Sequence, residues 1–135
     1  MRENEHLPAP PDRPIRLLHV DDHRVHSRLI PHALTAPPSW EFRFTASTAE
    51  ALAVLDSWFP DVIVTDLFRG DDRGLDLIAR LRAMEVTREI PIVVVSGAAA
   101  MFEPQLRALG VATSISKPCS LLDLRAAVLR AVGRT

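Results

Sequence analysis

The chain has 135 residues and a formal net charge of -1, with 24% charged and 47% hydrophobic residues. That length suits one domain with a real core, and the near-neutral charge argues against a nucleic-acid groove or a membrane-binding patch. A single cysteine, Cys119, excludes an internal disulfide and fits a reducing cytosol; with no signal-peptide pattern and no bilayer-length apolar run, a cytoplasmic location is expected.

Residues 1–13 are polar and punctuated by Pro8, Pro10 and Pro11, which predicts a flexible tail ahead of one folded domain over 14–135. Ile15 to Val20 reads as a mostly apolar strand carrying Arg16 and His19. A helix is expected from near Asp22 or His23, turning Val25, Leu29, Ile30, Ala33 and Leu34 inward, with a kink or shifted end at Pro31. Pro37-Pro38 close that segment. Glu41 to Ala46 alternates, with Phe42 and Phe44 on one face, as a half-exposed strand does. Ser47 or Thr48 then caps a helix through about Trp58, and Glu50 completes a capping-box pattern with Ser47.

Val62 to Thr65 is apolar almost throughout and reads as a strand buried on both faces. Leu67 to Arg73 is expected to be a loop, with Asp71-Asp72 solvated, followed from Gly74 by a helix to about Glu85 that turns Leu75, Ile78, Leu81 and Arg82 inward. Pro91 opens a fourth strand through Val95. After it come a loose loop and a helix of about Glu103 to Leu109, with Pro104 in its first turn and Gly110 at its end. Val111 to Ser116 is the fifth strand. Ser120 caps a last helix, Leu121 to about Val132, with Leu122, Ala126, Leu129 and Val132 expected inward. Strands and helices that alternate with short loops require parallel strands joined by right-handed crossovers.

Four of these strands end in residues that suit phosphoryl chemistry: Asp21-Asp22, Asp66, Ser96 and Lys117-Pro118. In an open parallel sheet the carboxyl ends of the strands are where ligands bind, so three carboxylates, a hydroxyl and an ammonium converge on one edge. Each has an ordinary reading alone: a helix cap for the acidic pair, turns for Asp66 and Ser96-Gly97, a solvated charge for Lys117. Four such coincidences at four strand ends point instead to one site. Crowded carboxylates repel by roughly 4 kcal/mol per pair at about 4 Å and an effective dielectric near 20, and a divalent cation such as Mg2+ relieves this. Lys117 can pair with Asp66 or with a phosphate oxygen, and Ser96 can donate to another oxygen.

Val20-Asp21-Asp22-His23, Asp66-Leu67, Gly74-Leu75, Pro91-Ile92, Ser96-Gly97 and Lys117-Pro118, in this order, resemble the receiver domain of bacterial two-component response regulators, over about Ile15 to Val132. The resemblance implies a flavodoxin-like (βα)5 fold, a doubly wound five-stranded parallel sheet of order 2-1-3-4-5. It also implies phosphorylation of Asp66 by a sensor histidine kinase, or exchange with a histidine phosphotransfer protein. Asp22 and Asp66 would bind Mg2+ directly, Asp21 through water, and Phe68 through its backbone carbonyl. Ser96 takes the switch-hydroxyl position, Lys117 the lysine position, and Lys117-Pro118 the family's cis peptide, which would aim the lysine inward.

Three departures qualify the resemblance. Arg69-Gly70 replaces a usual Met-Pro pair, though the spacing to Gly74 is kept. Ser114 stands where an aromatic normally reports the state of the switch hydroxyl, and Phe68 is large and apolar two residues beyond the acceptor. Phe68 and Ala98 offer no polar group to orient an attacking water, which predicts a long-lived phosphorylated state.

The implied function is a single-domain, non-enzymatic response regulator. Nothing but Gly133-Arg134-Thr135 follows the last helix, so its output is expected to pass to another protein through the fourth helix, fifth strand and fifth helix. A phosphatase of the haloacid dehalogenase type also uses a strand-end Asp, a Ser or Thr, a Lys and Mg2+. It needs a second Asp two residues after the nucleophile, and that position is Phe68. An interaction module that has lost the switch is the third reading; the five pocket residues argue against it and Ser114 for it. His19, His23, His26 and His32 lack a metal-like partner set, and Cys119, Trp40 and Trp58 read as packing residues.

Overall fold

The computed structural model describes residues 13–22, 30–32, 34–35, 37–69 and 72–133. Seven strands are found among them: β1 (Ile15–Val20), β2 (Trp40–Thr45), β3 (Val62–Thr65), β4 (Phe68–Arg69), β5 (Asp72–Arg73), β6 (Ile92–Ser96) and β7 (Thr113–Ser116). Five form a parallel sheet in the order β2-β1-β3-β6-β7, and β4 pairs antiparallel with β5 as a separate hairpin. Counting only the strands of the main sheet, this is the expected doubly wound order. Helices run over Thr48–Leu55, Gly74–Ala83, Glu103–Ala108 and Leu121–Ala131. The expected N-terminal tail, and most of the expected helix between β1 and β2 with Val25, Leu29 and Ala33, lie outside the described residues. The end of that segment is described: Ile30 to His32 are helical, and the Leu34 amide donates to the carbonyls of Ile30 and Pro31.

Strand alternation divides the core in two. Ile15, Leu17, Val62, Val64 and Val93 point to one face, where Ile30, Leu34, Leu124, Ala127, Val128 and Val132 cover them. Leu18, Val20, Ile63, Ile92 and Val94 point to the other, against Ala51, Leu77, Ile78, Leu81 and Leu106. β3 is buried along its whole length, as its unbroken apolar run requires. Each such side chain removed from water contributes about 1.5–3 kcal/mol, so the central strands are the most strongly held part of the sheet.

Local chemistry sets the element ends. Ser47 Oγ accepts from the Glu50 amide at 3.1 Å, and Glu50 Oε1 accepts from the Ala46 amide at 3.0 Å, one residue earlier than an ideal capping box. That helix stops at Leu55 rather than near Trp58, because Trp58 turns into the core beneath two guanidinium groups. The Arg16 and Arg43 guanidinium carbons lie 5.5 and 5.3 Å from the Trp58 ring centroid, and Trp40 stacks on Phe42 at 6.3 Å. Ser120 Oγ accepts from the Asp123 amide at 3.0 Å and opens the last helix as expected.

Two further expectations fail. The last helix turns Leu124, Ala127 and Val128 inward, while Leu122 is 78% exposed and Ala126 is also exposed. Leu122 and Leu124 both fit a helical period, and the crossover direction from β7 selects the stripe that meets the sheet. The second failure is Asp72, which is not a solvated loop residue but holds Thr48, as described below; Asp71 lies outside the described residues.

Candidate phosphoacceptor site

The site forms because the ladder of the sheet continues one rung past the strand ends. The Asp21 amide donates to Thr45 O at 2.9 Å, the Asp66 amide to Val20 O at 3.4 Å, and the Lys117 amide to Ser96 O at 3.1 Å. Each residue just beyond a strand is thereby tied to the neighbouring strand. β1 lies between β2 and β3, so the strand order reverses direction there and leaves a crevice at the carboxyl edge. Asp21 and Asp66 stand on its two sides.

Asp21, Asp22 and Asp66 each offer a carboxylate oxygen, and these oxygens lie within 4.8 Å of one another. Asp66 is buried, while Asp22 is exposed at the mouth. Lys117 Nζ lies 3.9 Å from Asp21 Oδ2, and the Lys117–Pro118 peptide bond is cis. Three anions beside one ammonium leave an excess of negative charge, which suits a hard divalent cation bound through oxygen.

Ser96 is buried at the end of β6, and its Oγ accepts from the Ala98 amide at 3.1 Å. Ser114 pairs with Val94 across β6 and β7 and is partly buried. Phe68 is 40% exposed at the rim, with its ring 5.6 Å from that of Phe102 and tilted by 58°. A cavity of about 410 Å³ opens beside the acidic group, with His19, Asp21, Asp66 and Lys117 on its polar side and Val64 and Leu124 on its apolar side. Cys119 also lines it. Burial and the Asp123 carboxylate push the Cys119 thiol up, against an opposing effect of Lys117, so it remains a thiol and packs.

The loop after Asp66 depends on Gly74. Its amide donates to Leu67 O at 2.7 Å, and a β-carbon there would collide with Asp66 O and lie 2.8 Å from Leu67 Cα. Only hydrogen fits between the Gly74–Ala83 helix and the backbone that carries Asp66.

Two residues near the site escape a motif-based reading. His19 Nε2 lies 3.7 Å from Asp21 Oδ2, and the ring meets Phe44 edge-on at 5.9 Å. The signal was present, since a period of two places residues 19 and 21 on one face of the strand. His32 is exposed, and His23 and His26 lie outside the described residues. Asp72 is the second: its Oδ2 accepts from the Thr48 amide and its Oδ1 from Thr48 Oγ1, each at 2.6 Å. No local pattern announces a contact across 24 positions.

A doubly wound α/β protein with an acidic, lysine-bearing cup at its topological switch point belongs to the class of sheets that bind ligands at their carboxyl edge. Comparison with known proteins narrows the class. The family model described as response regulator receiver domain matches residues 17–129, and the chain belongs to that family of two-component signal transduction proteins. It is 32% identical over 114 residues to protein-glutamate methylesterase/protein-glutamine glutaminase 2 of Anaeromyxobacter dehalogenans (strain 2CP-C), covering 84% of this chain and 33% of that protein. It is 36% identical over 73 residues to the transcriptional regulatory protein TrcR of Mycobacterium tuberculosis (strain ATCC 25618 / H37Rv), covering 54% of this chain and 28% of that protein. The chain thus spans about a third of the length of the curated relatives it matches. Among solved structures, a putative response regulator from Chloroflexus aurantiacus J-10-fl has the same fold, with a TM-score of 0.81 and 24% identity over 90% of this chain and 100% of that one. Among the described residues, no helix is long and apolar enough to cross a membrane.

Proposed function

We propose that this receiver domain is a phosphorylation switch whose acceptor is Asp66. The gathering of Asp21, Asp22 and Asp66 carboxylate oxygens within 4.8 Å, next to Lys117, carries this reading. Asp22 and Asp66, the Phe68 carbonyl and, through water, Asp21 would hold Mg2+, which neutralises charge on the transferring oxygens when bound. An Asp66 carboxylate oxygen attacks the phosphorus of a phosphohistidine on a sensor kinase or phosphotransfer protein. The P–N bond breaks, and the electron pair returns to the imidazole. Lys117 then faces a phosphate oxygen, and Ser96 exchanges its contact with the Ala98 amide for another. The signal passes to a partner protein in the cytoplasm, with no catalytic turnover by this domain.

Incubation with acetyl phosphate and Mg2+, followed by intact mass, tests the reading. One phosphoryl group is expected on the native chain and none on Asp66→Ala. Equal labelling of both, or labelling of neither, overturns it, and sustained hydrolysis of an aryl phosphate marks an enzyme instead. Phe68 and Ala98 place no polar side chain to orient water, so phosphoryl decay in Phe68→Asn is expected to be faster than in the native chain, on the order of tenfold.

A further inference from the structure

The hairpin that follows Asp66 has two residues in each strand, with Phe68 opposite Arg73 and Arg69 opposite Asp72. So short a ladder fixes its own orientation weakly, and contacts outside it must decide how it stands over the site. At its base, the Gly74 amide on Leu67 O and the close approach of Gly74 to Asp66 O leave no slack. Farther out, Asp72 grips Thr48 with both carboxylate oxygens.

Thr48 is the first residue of its helix, and its amide is one of the donors a helix leaves without an internal partner. A carboxylate at that end also meets the favourable end of the helix dipole, and hydrogen bonds to an ionised acceptor are the stronger kind. The partner is therefore more than a cap. It bolts the loop after β3 to the helix after β2, across the segment that carries the Phe68 carbonyl. Held between these two anchors, the hairpin has few orientations open to it.

We propose that Asp72 is a positioning residue for the metal end of the site: through Thr48 it sets where the Phe68 carbonyl stands relative to Asp22 and Asp66. This rests on the receiver reading above and adds to it a second support for the acceptor loop. Without the bolt, the hairpin stays attached at Gly74 but swings, and the carbonyl is ordered only at a cost in binding.

The test is titration with Mg2+ alone, followed by amide shifts at a temperature where each variant shows a folded spectrum. Asp72→Ala is expected to bind Mg2+ about tenfold more weakly than the native chain, the size typical of lost support behind a metal ligand. Thr48→Val removes the hydroxyl and is expected to weaken binding less, whereas Thr48→Ser retains both donors and binds as the native chain does. Combining Asp72→Ala with Thr48→Val should add little to Asp72→Ala alone, because both remove one contact. If Asp72→Ala does not fold, Asp72→Asn carries the comparison, with an intermediate loss expected. Native affinity in folded Asp72→Ala, or in folded Asp72→Asn where that variant stands in, overturns the proposal and leaves the receiver reading intact. A native chain that takes up no Mg2+ overturns both.

Discussion

Gly74 shows how one position can govern the site without touching a ligand. A methyl group added to its Cα would collide with Asp66 O, and that oxygen belongs to backbone, which cannot rotate away. Gly74→Ala must therefore push the Gly74–Ala83 helix or the loop after Asp66 aside. A loss of about 2–4 kcal/mol in urea unfolding is expected, with weaker Mg2+ binding in the fraction that folds. His19 makes the complementary point. Its buried place in β1 is set by strand alternation, and the same alternation brings it to Asp21. Counting metal-ligand spacings among the histidines missed this, since the relevant neighbour was a carboxylate on the same face two residues on.

Among the elements, the Gly74–Ala83 helix is held by an unusual staple. Arg82 Nε donates to Leu109 O at 2.7 Å, its Nη1 to Arg88 O and Ile90 O at 2.8 Å, and its Nη2 to Gly110 O at 3.1 Å. One guanidinium thus closes three chain segments, satisfying carbonyls that the turn at Gly110 leaves open. Burial lowers the Arg82 pKa and Glu89 opposes that, yet the group stays charged at any working pH. Arg82→Met keeps the aliphatic stem and removes every donor, so urea unfolding should show a loss of about 2–3 kcal/mol. The spacing of Leu75, Ile78, Leu81 and Arg82 marked this position as inward, but the polar task that keeps an arginine there depends on loops distant in sequence. The last helix carries apolar residues on two faces, and periodicity alone could not choose between Leu122 and Leu124. The choice is made by the sheet onto which the helix folds.

At the scale of the molecule, the alternation of elements, the sheet order and the gathering of Asp21, Asp22 and Asp66 were legible in the residues. Strand ends in a parallel sheet share one edge whatever the loops do. The β4–β5 hairpin and the grip of Asp72 on Thr48 were not legible, because they depend on two loops meeting in space and on no local propensity. The helix expected after Asp22 falls mostly outside the described residues.

Both indoles sit at the amino edge of the sheet: Trp40 opens β2, and Trp58 precedes β3 under the two guanidinium groups. Intrinsic fluorescence should therefore report the rim opposite the acidic cup and stay nearly silent as the cup fills. A spectroscopist following occupancy would need a new chromophore, and an indole in place of the exposed Phe68 ring would stand where the emission could change.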